Sequence, residues 1–181
     1  MSGLKLFVVL LGGKPEGRNI EQHDIFVGAA GELKDLIPEM IKFWPADIHI
    51  DAYMALNFID GYRINFIPKA DAVSKSEGGP KLYFINLGGY KIPEFEEFHK
   101  KFLVVAGSIS EAVSAAKKDP FYIEGQDDTS ARSHIDDKEA IDDIICISES
   151  LENYKIVLAK PSDGFSPFSE TKIGYLALSK L

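Results

Sequence analysis

Cysteine is nearly absent: Cys146 stands alone, so no intramolecular disulfide can form and nothing in the chain requires an oxidising compartment. A reducing cytoplasm is the expectation. Long apolar runs are missing too. The run Leu6 to Leu11 is shorter than a secretory h-region and closes on Gly12-Gly13-Lys14 rather than on a small-residue cleavage site. No stretch approaches the roughly 18 apolar residues of a spanning helix. Positive charge is scarce: 20 Lys and Arg stand against 28 Asp and Glu, for −8 at pH 7 and a pI near 5.0. Such a field repels phosphate backbones and anionic headgroups, so neither nucleic acid nor a membrane surface is expected as a partner. What is present is a chain of 181 residues, 45% hydrophobic and 11% aromatic, ample for a packed core in a single domain.

An internal repeat organises that material. Lys5 to Gly13 lines up with Lys81 to Gly89 at an offset of 76, which also carries Glu21 onto Glu97, His23 onto His99, Phe26 onto Phe102, Ala30 onto Ala106 and Gly31 onto Gly107. Residues 5–40 against 81–116 share 10 identities in 36 positions. After an insertion of 9 residues, His49-Ile50-Asp51 matches His134-Ile135-Asp136, and Tyr62-Arg63-Ile64 matches Tyr154-Lys155-Ile156.

Each half reads as a strand, a Gly-Gly loop, a long helix and further strands. The opening strand is apolar on both faces, which suits a central position in a sheet covered on both sides. Phe26, Ala30, Leu33, Ile37, Ile41 and Trp44 fall at helical spacing, with Asn19 and Gln22 set as a capping box and Pro45 as a stop. Phe102, Ala106, Ile109, Val113 and Ala116 draw the same stripe behind Pro93. Asp60-Gly61 between apolar runs signals a hairpin, and Glu152-Asn153 marks a turn between Ile144–Ser148 and Tyr154–Ala159. The expected fold class is therefore α+β: two βαββ-type halves packed about a pseudo-twofold axis, with long helices on one face of a mainly antiparallel sheet. The divisions are 1–67, a polar linker 68–80, 81–160 with a surface loop from Glu124 to Ser133, and a tail 161–181 whose Ile173 to Leu178 forms an edge strand, a contact for a homodimer.

The four histidines form two repeat-matched pairs, His23 with His99 and His49 with His134. Histidine titrates near neutrality and ligates metals, so catalysis is one explanation; a structural residue duplicated with its module is the other. On the helix reading, His23 and His99 lie beside the core stripe in a first turn, where a neutral imidazole bonds a backbone carbonyl. Glu21 and Glu97 then lie about 200° round the helix from them, which makes them poor candidates for sharing one metal with the histidines and better read as helix-start carboxylates favoured by the dipole. His49 and Asp51, two apart in an extended segment, share a face, so the carboxylate can set the imidazole tautomer. Asp136 in the second copy also suits a helix N-cap before Glu139. Gly12-Gly13-Lys14-Pro15-Glu16-Gly17-Arg18-Asn19 has P-loop glycine spacing but lacks its Lys and Ser/Thr, leaving Gly12 and Gly13 as a backbone anion site. Cys146 in an apolar run reads as an inert thiol, and Asp127-Asp128 and Asp136-Asp137 as solvated acidic loops.

Together, Leu11-Gly12-Gly13, Glu21-Gln22-His23-Asp24, Trp44, His49-Ile50-Asp51 and Asp60-Gly61-Tyr62 resemble a bacterial family catalogued as domain of unknown function 1543, whose domain occurs in one or two copies per protein. The resemblance implies two tandem copies. The second departs from it, with Pro120 opposite Trp44, Lys100 opposite Asp24 and Glu152-Asn153 opposite Asp60-Gly61. The resemblance brings no activity or cofactor. Paired βαβββ modules, as in the glyoxalase-like metalloenzymes, are the nearest architectural rival; their ligands sit on strands, whereas His23 and His99 read as helical. With no complete catalytic set in view, the leading expectation is a non-catalytic ligand-binding or protein-interaction module. The alternative is a metal-dependent or acid-base enzyme using His23, His49 and Asp51, with His99, His134 and Asp136 as the duplicated set. The residues name neither the metal, the cofactor nor the small-molecule ligand.

Overall fold

A computed structural model describes residues 3–71, 78–90, 93–127 and 144–181. The chain forms two compact units, Met1–Pro68 with Ala159–Leu181, and Lys69–Leu158. The first unit is built on β1 (Lys5–Gly13), paired antiparallel with β2 (Gln22–Ala30) on one side and β3 (Ile48–Leu56) on the other. The C-terminal strand β10 (Ser169–Ala177) pairs antiparallel with β3, so the sheet runs β10-β3-β1-β2. Phe7, Val9 and Leu11 of β1, Phe26 of β2 and Ile50 of β3 receive Leu33 and Leu36 from a 3₁₀ turn (Leu33–Leu36) and Met40 from α1 (Ile37–Phe43). Each such side chain contributes about 1.5–3 kcal/mol on full burial. Asn57 fastens the tail to this sheet: its N–H donates to Phe168 O at 3.1 Å and its Oδ1 accepts the Phe168 N–H at 2.8 Å. β4 (Phe58–Ile59) and β5 (Tyr62–Pro68) form a hairpin through Asp60 (φ 49°) and Gly61 (φ 82°). Positive φ at both turn residues is the type I′ signature that an Asp-Gly pair favours.

The second unit pairs β6 (Lys81–Tyr90) antiparallel with β7 (Glu97–Ala106) and β8 (Ile144–Cys146), in the order β7-β6-β8. Tyr83, Ile85 and Leu87 pack with Ala112 and Ala116 of α2 (Ile109–Ala116). Ser108 caps α2 by accepting the Glu111 N–H at 3.2 Å. Asp119 opens α3 (Pro120–Asp127) by accepting the Phe121 N–H at 2.9 Å, and holds Lys100 Nζ at 2.8 Å from each carboxylate oxygen. α4 (Ile147–Ser150) then leads to β9 (Tyr154–Ala159).

The architecture is α+β with mostly antiparallel sheets, but its helices are short. Where a long helix is expected from Gln22, the chain makes β2, and the capping box at Asn19 does not form. Phe26 and Ala30, four apart, fit either a helical stripe or alternate positions on a strand. The consecutive Ile25-Phe26-Val27 favours the strand, and Gly28 makes it packable. A Cβ at Gly28 would lie 2.8 Å from Leu36 Cδ2, so only glycine admits the 3₁₀ turn at this distance. The second stripe likewise crosses two elements, with Phe102 and Ala106 on β7 and Ile109 to Ala116 on α2. The segment Ile147–Ser150 is helical rather than extended, and its buried Ser148 hydroxyl accepts the Leu82 N–H at 2.9 Å. His134, Asp136, Asp128 and most of the 124–133 loop lie outside the described residues. Among the described residues no helix is long and apolar enough to cross a membrane.

Candidate metal centre

Four polar side chains of the first unit meet over Gly12. On β1, Gly12 is paired with His23 of β2 on one side and with His49 of β3 on the other, so the two imidazoles rise from the same face as flanking neighbours. Glu21, two residues before His23 and just ahead of β2, turns its carboxylate to the same side, where its Oε1 meets both imidazoles. Asp51 arrives by a bulge. The register passes from Leu10↔Ala52 to Leu11↔Ile50, leaving Asp51 without a partner on β1, and on the other side from Ile173↔Ala52 to Leu176↔Ile50. A bulge of this kind re-aims a side chain, here placing the Asp51 carboxylate over Gly12.

The four side chains close on one another. His49 Nε2 is 2.7 Å from Glu21 Oε1 and 3.3 Å from Asp51 Oδ1; His23 Nε2 is 3.2 Å from Asp51 Oδ2 and 3.9 Å from Glu21 Oε1. Ligand atoms of Glu21, His23 and Asp51 all lie within 4.8 Å of one another. Asp51 Oδ2 is buried and makes no hydrogen bond. A buried carboxylate oxygen is stabilised by a positive group set against it, and the basic neighbour of this one is the His23 imidazole at 3.2 Å. His49 and Asp51 form the inner wall, with side chains 17% and 27% exposed, while His23 (47%) and Glu21 (43%) open to solvent. The Tyr175 ring of β10 lies against the His49 ring, centroids 4.5 Å apart at 38°. Gly12 is the floor: a Cβ there would fall 2.4 Å from Asp51 Oδ2, 2.5 Å from His49 Nε2 and 2.6 Å from Glu21 Oε1.

Imidazole nitrogen with carboxylate oxygen suits zinc, iron or manganese, and the open side leaves positions for water or substrate. His23, His49 and Asp51 thus converge, and Glu21 joins them. Its demotion rested on helical geometry, whereas β2 is a strand and Glu21 lies just ahead of it. The reading of His23 and His99 as helical, which counted against the glyoxalase-like arrangement, falls for the same reason. Gly12 and Gly13 sit inside β1 with strands on both sides, and carboxylates overhang Gly12, an environment that repels an anion. Tyr175 has no signal in the sequence beyond its place in an apolar strand. His99 stands on β7 opposite Gly88, its Nε2 3.9 Å from Glu97 Oε2. Cys146 is half-buried, and burial pushes its thiol up, away from the reactive thiolate.

The family described as Domain of Unknown Function (DUF1543) matches residues 18–66, a single match that contains Glu21, His23, His49 and Asp51. Among solved structures the chain is similar to protein Il1583 from Idiomarina loihiensis, with 26% sequence identity over 97% of each chain and a TM-score of 0.61. No curated protein matches it.

Proposed function

We propose that the first unit binds a divalent transition-metal ion through Glu21, His23 and Asp51, and that His49 serves beside it as the acid-base group of a metal-dependent enzyme. The observation that carries this reading is the buried Asp51 Oδ2, which makes no hydrogen bond although His23 Nε2 lies 3.2 Å away, held over the bare floor of Gly12 beside two imidazole nitrogens. A bound ion satisfies that oxygen and offsets the repulsion of two carboxylates in one pocket. The solvent-facing side admits water, whose pKa such an ion lowers, while His49 stands ready to exchange its proton. The test is metal analysis of untagged protein and calorimetric titration of chelator-stripped protein with Zn²⁺, Mn²⁺ and Co²⁺. A tight binding event that Asp51→Asn removes is the expected result; protein that takes up none of these ions overturns the reading.

The chain is further read as two copies of one module. The pairing Lys5↔Ala30 through Gly12↔His23 recurs as Lys81↔Ala106 through Gly88↔His99, shifted by 76 in both strands, which supports duplication. A non-catalytic interaction role is the second reading, favoured by Ile173 and Tyr175, 86% and 72% exposed on the outer strand β10. Pairing of two copies along β10 predicts a dimer in light scattering that Ile173→Lys converts to monomer.

A further inference from the structure

Besides Asp51 Oδ2, one other buried side-chain oxygen or nitrogen among the described residues lacks a hydrogen-bond partner, and it is Asn86 Oδ1. Asn86 lies on β6 two residues before Gly88, so both point to one face. On β7, Gly88 is paired with His99 and Asn86 with Lys101, which puts His99 and Glu97 on that same face. A Cβ at Gly88 would fall 2.8 Å from Glu97 Oε1 and 3.8 Å from His99 Cδ2. The glutamate therefore overhangs its glycine as Glu21 overhangs Gly12, and each Glu–His pair is separated by 3.9 Å. Each unit thus carries a Glu-x-His pair above a strand glycine, and each has on that face one buried oxygen that makes no hydrogen bond.

We infer that the second unit holds its own divalent transition-metal site, formed by Glu97 and His99 over Gly88 and completed by the Asn86 side-chain oxygen. An amide oxygen is a neutral ligand where the first unit supplies a second carboxylate, so this site has half the anionic charge and binds more weakly. Lys101, across from Asn86 on the same face, sets a positive charge beside the site and weakens it further. The choice of ion rests on the metal reading of the first unit, while the residues do not overlap with it.

The experiment is calorimetric titration of the chelator-stripped full chain with Zn²⁺. Two binding events are expected, the weaker with a Kd at least about tenfold above the tighter. Glu97→Gln and His99→Ala should each abolish the weaker event and leave the tighter one intact, and Asp51→Asn should do the reverse. A single event that persists alone through a large excess of Zn²⁺ overturns the inference, as does a weaker event that survives both second-unit variants. Should Asp51→Asn leave the tighter event untouched, the first-unit reading fails while the second site is still judged by its own variants. If circular dichroism shows those variants unfolded, the wild-type His99 imidazole NMR signal decides. A shift with the second equivalent supports the site, and no shift at saturation rejects it.

Discussion

Replacing Gly12 by alanine tests the site with a single methyl group. The new Cβ would sit 2.4, 2.5 and 2.6 Å from Asp51 Oδ2, His49 Nε2 and Glu21 Oε1, against an ordinary contact of 3.4–4 Å. Each group must retreat by about 1 Å, several times the tolerance of about 0.2 Å that a metal-ligand distance allows. Misplacement of this size costs on the order of 100-fold, or about 2.7 kcal/mol, in zinc affinity. Folding should hardly notice. Gly12 is not among the residues with positive φ, and the atoms displaced are ends of side chains, so the metal-free stability should stay within about 1 kcal/mol of wild type. Gly28→Ala is the counterpart. Its Cβ would press on Leu36 and Phe26 in the core at 2.8–3.0 Å, for a loss of about 1–3 kcal/mol in urea unfolding, with zinc affinity retained. Calorimetry and urea melts on the two variants should separate the effects. If Gly12→Ala binds zinc as wild type does, or unfolds the metal-free protein as severely as Gly28→Ala, the convergence over Gly12 is wrong.

Three further outcomes are expected. Ser148→Ala strands the buried Leu82 N–H, which should lower stability by about 1–3 kcal/mol in urea melts; no loss would mean that this hydrogen bond is not formed. For Asp119, burial pushes the carboxyl up, but the Lys100 ammonium and the Phe121 N–H outweigh it and hold the group below its ordinary 3.8. A pKa lowered by folding stabilises above 3.8 and is lost as pH falls through the folded value, so thermal melts from pH 6 to pH 2 should show a loss that Asp119→Asn reduces. Tyr175→Ala uncovers the ring of His49, the acid-base group beside the ion rather than a ligand to it, so the His49 imidazole NMR signal should shift while zinc affinity stays near wild type; a loss of about tenfold in affinity would make His49 a ligand instead, and Tyr175→Phe should leave both unchanged.

Composition and periodicity carry the reading of this chain to a definite point. The uninterrupted apolar run Leu6 to Leu11 reads as a central strand, and β1 is flanked on both sides. Asp60-Gly61 reads as a hairpin and makes one, because the φ values are local properties of that pair. The spacing of His49 and Asp51 places them together in any extended segment, and they lie 3.3 Å apart. The helix expected from Gln22 fails at Phe26 and Ala30, whose separation of four is common to both periodicities. What decides between them is Leu36 packing onto Gly28, a contact no local rule contains.

The sequence by itself therefore determines which side chains are available for chemistry and sets two of them, His49 and Asp51, on one face. Only the tertiary structure decides that they form a site. His23 joins them because β2 is a strand and β1 aligns Gly12 with a histidine on each side, and Glu21, just ahead of β2, is carried to the same side with it. The bulge at Asp51 and the stacking of Tyr175 depend on β10, which reaches β3 from the far end of the chain. Hydrophobic periodicity is blind to such pairings, because cross-strand register is a relation between segments and no window of sequence holds both.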